Sequence, residues 1–331
     1  MEFTTGGRLE VRITAADTGK RVSVRRLGSS GTPGSLFIDT VGVLTAWDEG
    51  VLSITRKNGE TVRIEESALV AGKVVPAAPA RRRGPAASFA ELAPVLARAW
   101  QPVESERLGE WTLRAAGGFT RRANSALPLG DPGLPLPDAL ARVTAWYAAR
   151  GLPAYVQTAT GAAGTQEELG AELERAGWER EVSAEVRIAA LAPIGDLDVD
   201  VSRVRLARTA DQAWLSGYQR SPEPGEHVLR VLGAGPSVWF ASVPGEGRTP
   251  AAIGRCVVDG RWAGFMAIEV DPARRRQGLA SAVMSALARR ALDEGASAAW
   301  LQVEHDNAGA RALYEGQGFA THHHYHHFRS R

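Results

Sequence analysis

A chain of 331 residues, 44% hydrophobic and 23% charged, is long enough for two or three domains with sizeable cores. A formal net charge of +2 excludes a role as a global polyelectrolyte, and the single cysteine, Cys256, excludes an intrachain disulfide and points to a reducing compartment. No apolar run reaches the roughly 18 residues of a membrane span, and Met1–Gly7 carries no basic region followed by an apolar core, so a soluble, cytoplasmic protein without a signal peptide is expected.

Residues 1–76 alternate apolar and polar positions in short runs: Leu9–Ile13, Arg21–Arg25, Phe37–Trp47, Val51–Thr55 and Glu60–Ile64. Period-two alternation marks half-buried strands, and Asp48-Glu49-Gly50 and Asn58-Gly59 are turn signals between them. Five such strands predict a small β-barrel of the Src-homology-3 type. Arg12, Arg25, Arg26 and Trp47 would form its binding face if it had one. Too few basic and aromatic residues interleave for nucleic acid, so a docking module with an ordinary charged face is the favoured reading. Residues 77–87, rich in Pro and Ala with the triplet Arg81-Arg82-Arg83, read as an exposed tether.

Residues 88–192 faintly resemble the C-terminal half of the chain. Leu136–Arg150 reads as a helix closed by Gly151 and succeeded by the strand-like Ala154–Gln157. In the C-terminal half, Leu279–Glu294 is closed by Gly295 and succeeded by Ala299–Gln302. Leu169–Trp178 likewise lies over Ala310–Phe319. Such a repeat argues for two like-folded modules, 88–192 and 193–331. Trp111–Arg114 and Ala126–Leu129 are further strand candidates, and Gly117–Ser125 is a polar stretch that either lines a pocket or forms a structured loop.

The second module opens with Arg203–Ala207 as a strand and Thr209–Gln212 as a capping box for a helix through Trp214 and Tyr218. Ser221–His227 is a rigid acidic loop, either a solvated proline loop or a rim whose carboxylates suit an amine-bearing ligand. Val238–Val243, Ala251–Val258 and Trp262–Val270 come next as antiparallel strands. Cys256, inside the middle run, reads as a packed core thiol. After Asp271-Pro272 come three arginines, Arg274–Arg276, then Gly278 and a helix with Leu279, Val283 and Leu287 along one stripe. A helix start carries unpaired N–H groups and about half a positive charge. With a glycine that admits close approach and guanidinium groups beside it, this stretch reads as a pyrophosphate cradle.

Arg275-x-x-Gly278-x-Ala280 resembles the Q/R-x-x-G-x-G/A signature of the GNAT superfamily of acyl-CoA-dependent N-acyltransferases. Asn307-Ala308-Gly309-Ala310-Arg311-Ala312-Leu313-Tyr314, then Gly318-Phe319, resembles its N-x-x-A-x-x-L-Y…G-F ending. The match covers about residues 203–331. Domain order resembles actinobacterial members that join a small barrel to tandem GNAT modules. The fold class expected is therefore α+β/α/β: a mixed-sheet GNAT fold in tandem, preceded by a β-barrel. The first copy is degenerate, since Leu173 stands where Tyr314 stands and Gly130–Pro135 carries an acid where the arginines should be.

The resemblance implies acetyl-CoA as co-substrate. Its pantetheine arm would pair with Ile268, Glu269 and Val270. Its pyrophosphate would lie on Arg275, Arg276, Gln277, Gly278, Leu279, Ala280 and Ser281, with Asn307 at the pantetheine amide. Tyr314 would be the general acid. For the base, Glu269 and Glu304 are candidates, because each interrupts an apolar run; Gly264 falls where some members place a glutamate. The expected activity is direct acetyl transfer to an amine of a small molecule or a protein, with no membrane or nucleic-acid partner and no metal. The alternatives are a CoA-binding regulatory or scaffold protein, or an amino-sugar-thiol acetyltransferase of the mycothiol-synthase kind. The tail Thr321–Arg329 holds five of the chain's seven histidines. It reads foremost as a solvated, tag-like tail. A strand with one histidine row bordering the acceptor site as a proton relay, and a metal site, are the other readings.

Overall fold

The computed structural model describes residues 10–28, 37–55, 61–75, 85–220, 225–245, 247 and 249–331. The expected Asn58-Gly59 turn, most of the 77–87 tether and residues 221–224 of the acidic loop lie outside these residues. The chain forms two compact units, Met1–Arg82 and Arg83–Arg331.

The first unit is one five-stranded antiparallel sheet. Its strands are β1 (Arg21–Leu27), β2 (Phe37–Asp48), β3 (Val51–Thr55), β4 (Thr61–Glu65) and β5 (Leu69–Val74), in the order β4-β3-β2-β1-β5. Val22, Val24, Leu44, Leu52, Ile54 and Ile64 are its core, the inward positions of each alternation. Glu49 and Gly50 both take positive φ (49° and 76°), the geometry of a two-residue hairpin turn. One expectation is corrected. The run around Val11 makes a single bridge to Gly72, and the fifth strand is β5, whose Gly72 and Lys73 break the apolar alternation that marked the others.

The second unit begins with α1 (Phe89–Arg98), where Ser88 and Glu91 form a reciprocal cap. Strands β6 (Glu104–Leu108), β7 (Trp111–Ala115) and β8 (Leu127–Pro128) make a small antiparallel sheet. Then come α2 (Leu136–Ala148), β9 (Tyr155–Thr160), α3 (Glu167–Arg175), β10 (Glu179–Ala190) and the single turn α4 (Ala192–Gly195). The rest is β11 (Arg205–Ala207), α5 (Gln212–Ser216), α6 (Glu226–Gly233), β12 (Ser237–Val243), β13 (Ala252–Asp259), β14 (Trp262–Val270), α7 (Leu279–Asp293), β15 (Ala298–Glu304), α8 (Ala308–Gly316) and β16 (Ala320–Arg329). The expected capping box at Thr209 is displaced: Asp211 caps α5, accepting from the Trp214 amide at 2.7 Å, and Tyr218 falls just past the helix.

An eight-stranded sheet runs β11-β12-β13-β14-β15-β10-β16-β9. Its order reveals how the two modules join. Strand β10, the last of the first module, pairs with β15 of the second. Strand β16, the last of the second, pairs with β9 of the first. The two exchanged strands pair with each other at the middle. Packing reflects the exchange: Phe328 of β16 is buried among Trp111, Leu140 and Trp146 of the first module, while Ala184 and Val186 of β10 join Trp300 and Trp262 of the second. The modules therefore form one unit. The repeat extends to their strand ends, where a parallel bridge Ala126–Val156 in the first matches the parallel pairing of β14 with β15 in the second.

The histidine tail is β16, hydrogen-bonded on both sides. The tag-like, solvated reading is thereby corrected. His323, His326 and His327 are buried, because the strand lies between β10 and β9, with both pairings present from His324 to Arg329.

Candidate active site

The site is built where β14 and β15 part. Their parallel ladder runs from Trp262–Ala298 to Phe265–Leu301 and stops. Just beyond, Ala267 takes φ +51°, and the β13–β14 register shifts between Ile253 and Arg255 so that β14 carries one extra residue. This bulge bends β14 away from β15. Glu269 and Val270 stay paired to β13 on one side, and on the other the strand leaves its pairing edge unmatched by β15. Gly264 has a steric reason. A Cβ there would come within 2.3 Å of the Trp300 indole, so no carboxylate can stand at that position.

The turn after β14 is held by Asp271, whose side chain accepts from the Ala273 amide. Arg276 (φ +64°) and Gly278 (φ +78°) are both left-handed, and Gly278 is the cap from which α7 starts. Successive amides in such a turn converge as an anion-binding nest. A side chain at Gly278 would meet nothing within 4 Å, so the glycine serves its φ, and the space above it is open. Arg275, Arg276 and Gln277, which precede the glycine in this turn, are all exposed.

A cleft of about 420 Å³ lies beside the splay. It gathers Ile268, Glu269, Glu304, Asn307 and Tyr314 on one side. Val270 and the 275–281 turn, expected for the pyrophosphate, lie outside its walls. Tyr314 is 8% exposed and packs edge-on to Phe319. Burial pushes its hydroxyl up to about 12, so it holds its proton at any working pH. Glu269 accepts from the Gln219 amide at 2.9 Å through Oε2. Its other oxygen has no partner, and burial raises its pKa from the ordinary glutamate value. Glu304 stands 3.8 Å from an Arg220 guanidinium nitrogen. The Asn307 Oδ1 caps α8 through the Ala310 amide at 3.1 Å, which leaves its amide N–H groups as donors.

The opposite wall comes from the first module: Trp100, Phe119, Thr120, Arg121, Arg122 and Val182. The 117–125 stretch thus borders a pocket, as one of its two readings held. Tyr218, Arg220, Tyr325 and His327 also line it. Trp100 had no distinguishing sequence pattern, and Arg122 was marked only as part of the 117–125 stretch. Cys256 is a core thiol, fully buried, with its pKa pushed up to about 12 by desolvation. Glu185, His305 and His324 bring ligating atoms within 4.8 Å of one another. Glu185 is already engaged by Arg187 at 2.5 Å and Arg311 at 3.0 Å, and those charges oppose a cation.

The corresponding place in the first module is closed. The Gln166 side chain accepts from the Ala159 amide at 2.9 Å and donates to the Pro128 carbonyl, stitching β9 to β8 where the second module parts. Phe89 and Ala93 of α1 pack over Ala159 and Leu129. In place of an arginine turn, Glu110 and Asp131 carboxylates accept the amides of Asp131 and Gly133.

A central sheet with a splayed parallel pair, a left-handed glycine turn before a helix and a second, closed copy define a tandem GNAT-fold protein. A GCN5-related N-acetyltransferase from Kribbella flavida shares this fold with TM-score 0.54 at 17% identity, over 74% of this chain and 96% of that one. A tandem GNAT protein from the clavulanic acid biosynthesis pathway aligns with TM-score 0.51 at 13% identity, over 75% of this chain and 89% of that one. The family model described as probable histone acetyltransferase Rv0428c, C-terminal, matches residues 88–328, and the chain belongs to that acetyltransferase family. The Mycobacterium tuberculosis protein described as probable histone acetyltransferase Rv0428c is 29% identical over 307 residues, 92% of this chain and 93% of its own length. The protein is an N-acetyltransferase of the GNAT class. Among the described residues no helix is long and apolar enough to cross a membrane.

Proposed function

We propose that this enzyme moves an acetyl group from acetyl-CoA directly to an amine held in the cleft. The carrying observation is the convergence of three features: an unmatched strand edge at Ile268–Val270, an open left-handed turn at Arg275–Ser281, and Tyr314 and Glu269 in one cleft. The residues fit the co-substrate. The strand edge offers amide and carbonyl groups to a pantetheine arm, the turn offers amides and guanidinium groups to a pyrophosphate, and Asn307 offers N–H donors between them. Acetyl-CoA supplies the thioester. Glu269, raised by burial yet able to ionise, takes the proton from the attacking amine, directly or through water. As the N–C bond forms and the C–S bond breaks, Tyr314 gives its proton to the departing sulfur. Glu304, beside Arg220, is the second carboxylate for the base role.

We also propose that the first unit is a small Src-homology-3-like barrel serving as a docking module; Arg12 and Arg25 there are spent in ion pairs with Glu10 and Asp39. A cytoplasmic setting belongs to the same reading.

The test is incubation with acetyl-CoA and amine mixtures, tracking free thiol and the mass of acetylated product. Thiol release that rises with a particular amine supports the proposal. Tight acetyl-CoA binding with amine-independent release would favour a CoA-sensing protein instead.

A further inference from the structure

Two charges in the cleft lack an opposite partner. Of its three arginines, Arg121 pairs with Glu181 at 3.2 Å and Arg220 stands 3.8 Å from Glu304. Arg122 meets no carboxylate within ion-pair distance among the described residues. It donates to the Tyr325 hydroxyl, and its guanidinium lies over the rings of Trp100 at 5.5 Å and Tyr325 at 5.6 Å. Aromatic faces hold a cation in place without neutralising it. Of the two acids, Glu269 has no cation within ion-pair distance among the described residues, and its Oε1 has no hydrogen-bond partner. His327 borders the same cleft at 2% exposure, and neither ring nitrogen has a partner. Burial and the charges of Arg122, Arg114 and Arg121 hold it neutral, so it offers one donor and one acceptor.

A buried group with unfilled hydrogen-bonding capacity is costly unless a ligand completes it. On the basis of the proposed acetyl transfer, we infer that the acceptor is a small zwitterion: its amine meets Glu269, and an anionic group on the same molecule, such as a carboxylate, meets Arg122 with His327 beside it. The cleft volume of about 420 Å³ suits a ligand of metabolite size. A lysine within a basic tail is disfavoured, because the unpaired Arg122 would face its flanking cations.

The experiment compares 4-aminobutanoate and 6-aminohexanoate with their carboxamides and with a lysine peptide flanked by arginines. Each is measured for turnover by thiol release and for binding to the CoA-loaded full chain by calorimetry. In the native protein the carboxylate probes should show KM and Kd about 10- to 100-fold below those of the amides, the range of a charge-assisted hydrogen bond. In Arg122→Met the gap should close because the carboxylate constants rise, and Arg122→Lys should keep part of it. Retained acetyl-CoA affinity reports that each variant is folded. Equal constants for acid and amide, a gap that survives Arg122→Met, or the basic peptide as preferred acceptor would overturn the inference. If thiol release fails with every amine, the transferase reading falls, and the calorimetric gap alone then upholds or overturns the anion site.

Discussion

Burial raises both Tyr314 and Glu269, the two groups to which opposite proton tasks are proposed. The phenol, pushed up to about 12, stays an acid; the carboxyl, raised but still facing the cleft, titrates closer to neutrality than an ordinary glutamate. Tyr314→Phe should keep acetyl-CoA affinity and lower kcat by about 100-fold or more, the usual weight of a positioned acid; unchanged turnover would remove that role. For Glu269 the base form is the ionised one, so kcat/KM should rise with pH through an acid limb lying above the ordinary carboxylate value of about 4.3. Glu269→Gln should flatten that limb, and an intact limb would transfer the role to Glu304. That Tyr314, Glu269, Glu304 and Asn307 are the residues to look for in the cleft wall could be read from sequence, because two are motif positions and two are acids interrupting apolar runs. Gly264 was legible only as an oddity. Its cause, the Trp300 ring pressed against it, is a contact between strands that no local pattern encodes.

Among the elements, α7 and β16 make the sharpest contrast. The start of α7 is dictated by its residues: proline ends the strand, glycine sets the left-handed cap, and the apolar stripe fixes the buried face. Gly278→Val should raise the acetyl-CoA Kd about 10-fold, since a β-branched residue costs roughly 1–2 kcal/mol in the left-handed region, and leave kcat less affected. Strand β16 defeated the sequence reading because a histidine's burial depends on its neighbours, and here both neighbours are strands from elsewhere in the chain. Its histidines carry a cost. His323 is held down to about 3 and His326 to about 4, both chiefly by burial. Folding therefore requires them neutral, whereas the unfolded chain protonates them near 6.5. Below that value the unfolded state binds more protons, so stability should fall as pH drops from about 6.5 toward 4, by up to about 1.4 kcal/mol per pH unit for each such group. Urea midpoints at stepped pH check this; a flat profile through the window would contradict it.

For the whole molecule, the modules were visible as a repeat, yet their joining was not. Alternation says which face a strand buries, never which strand it pairs with. The exchange of β10 and β16 means that residues 193–331 alone would leave β15 without its neighbour and Phe328 without its core. Expressed separately, segments 88–192 and 193–331 should each fail to give a cooperative unfolding transition, while the two together should associate; an independently stable 193–331 segment would refute this. With the gap between the first module's strands stitched by Gln166 and covered by Phe89, calorimetry should find one acetyl-CoA per chain.

The position of β16 also sets an order of events during synthesis. The gap between β10 and β9 is filled by the strand that leaves the ribosome after every other described one, and that strand brings Tyr325 and His327 to the cleft. A nascent chain therefore carries an open groove with two bare strand edges until residues 320–329 emerge. A chain that stopped short of this strand would leave β10 and β9 without the partner between them, and the cleft without two of its lining side chains.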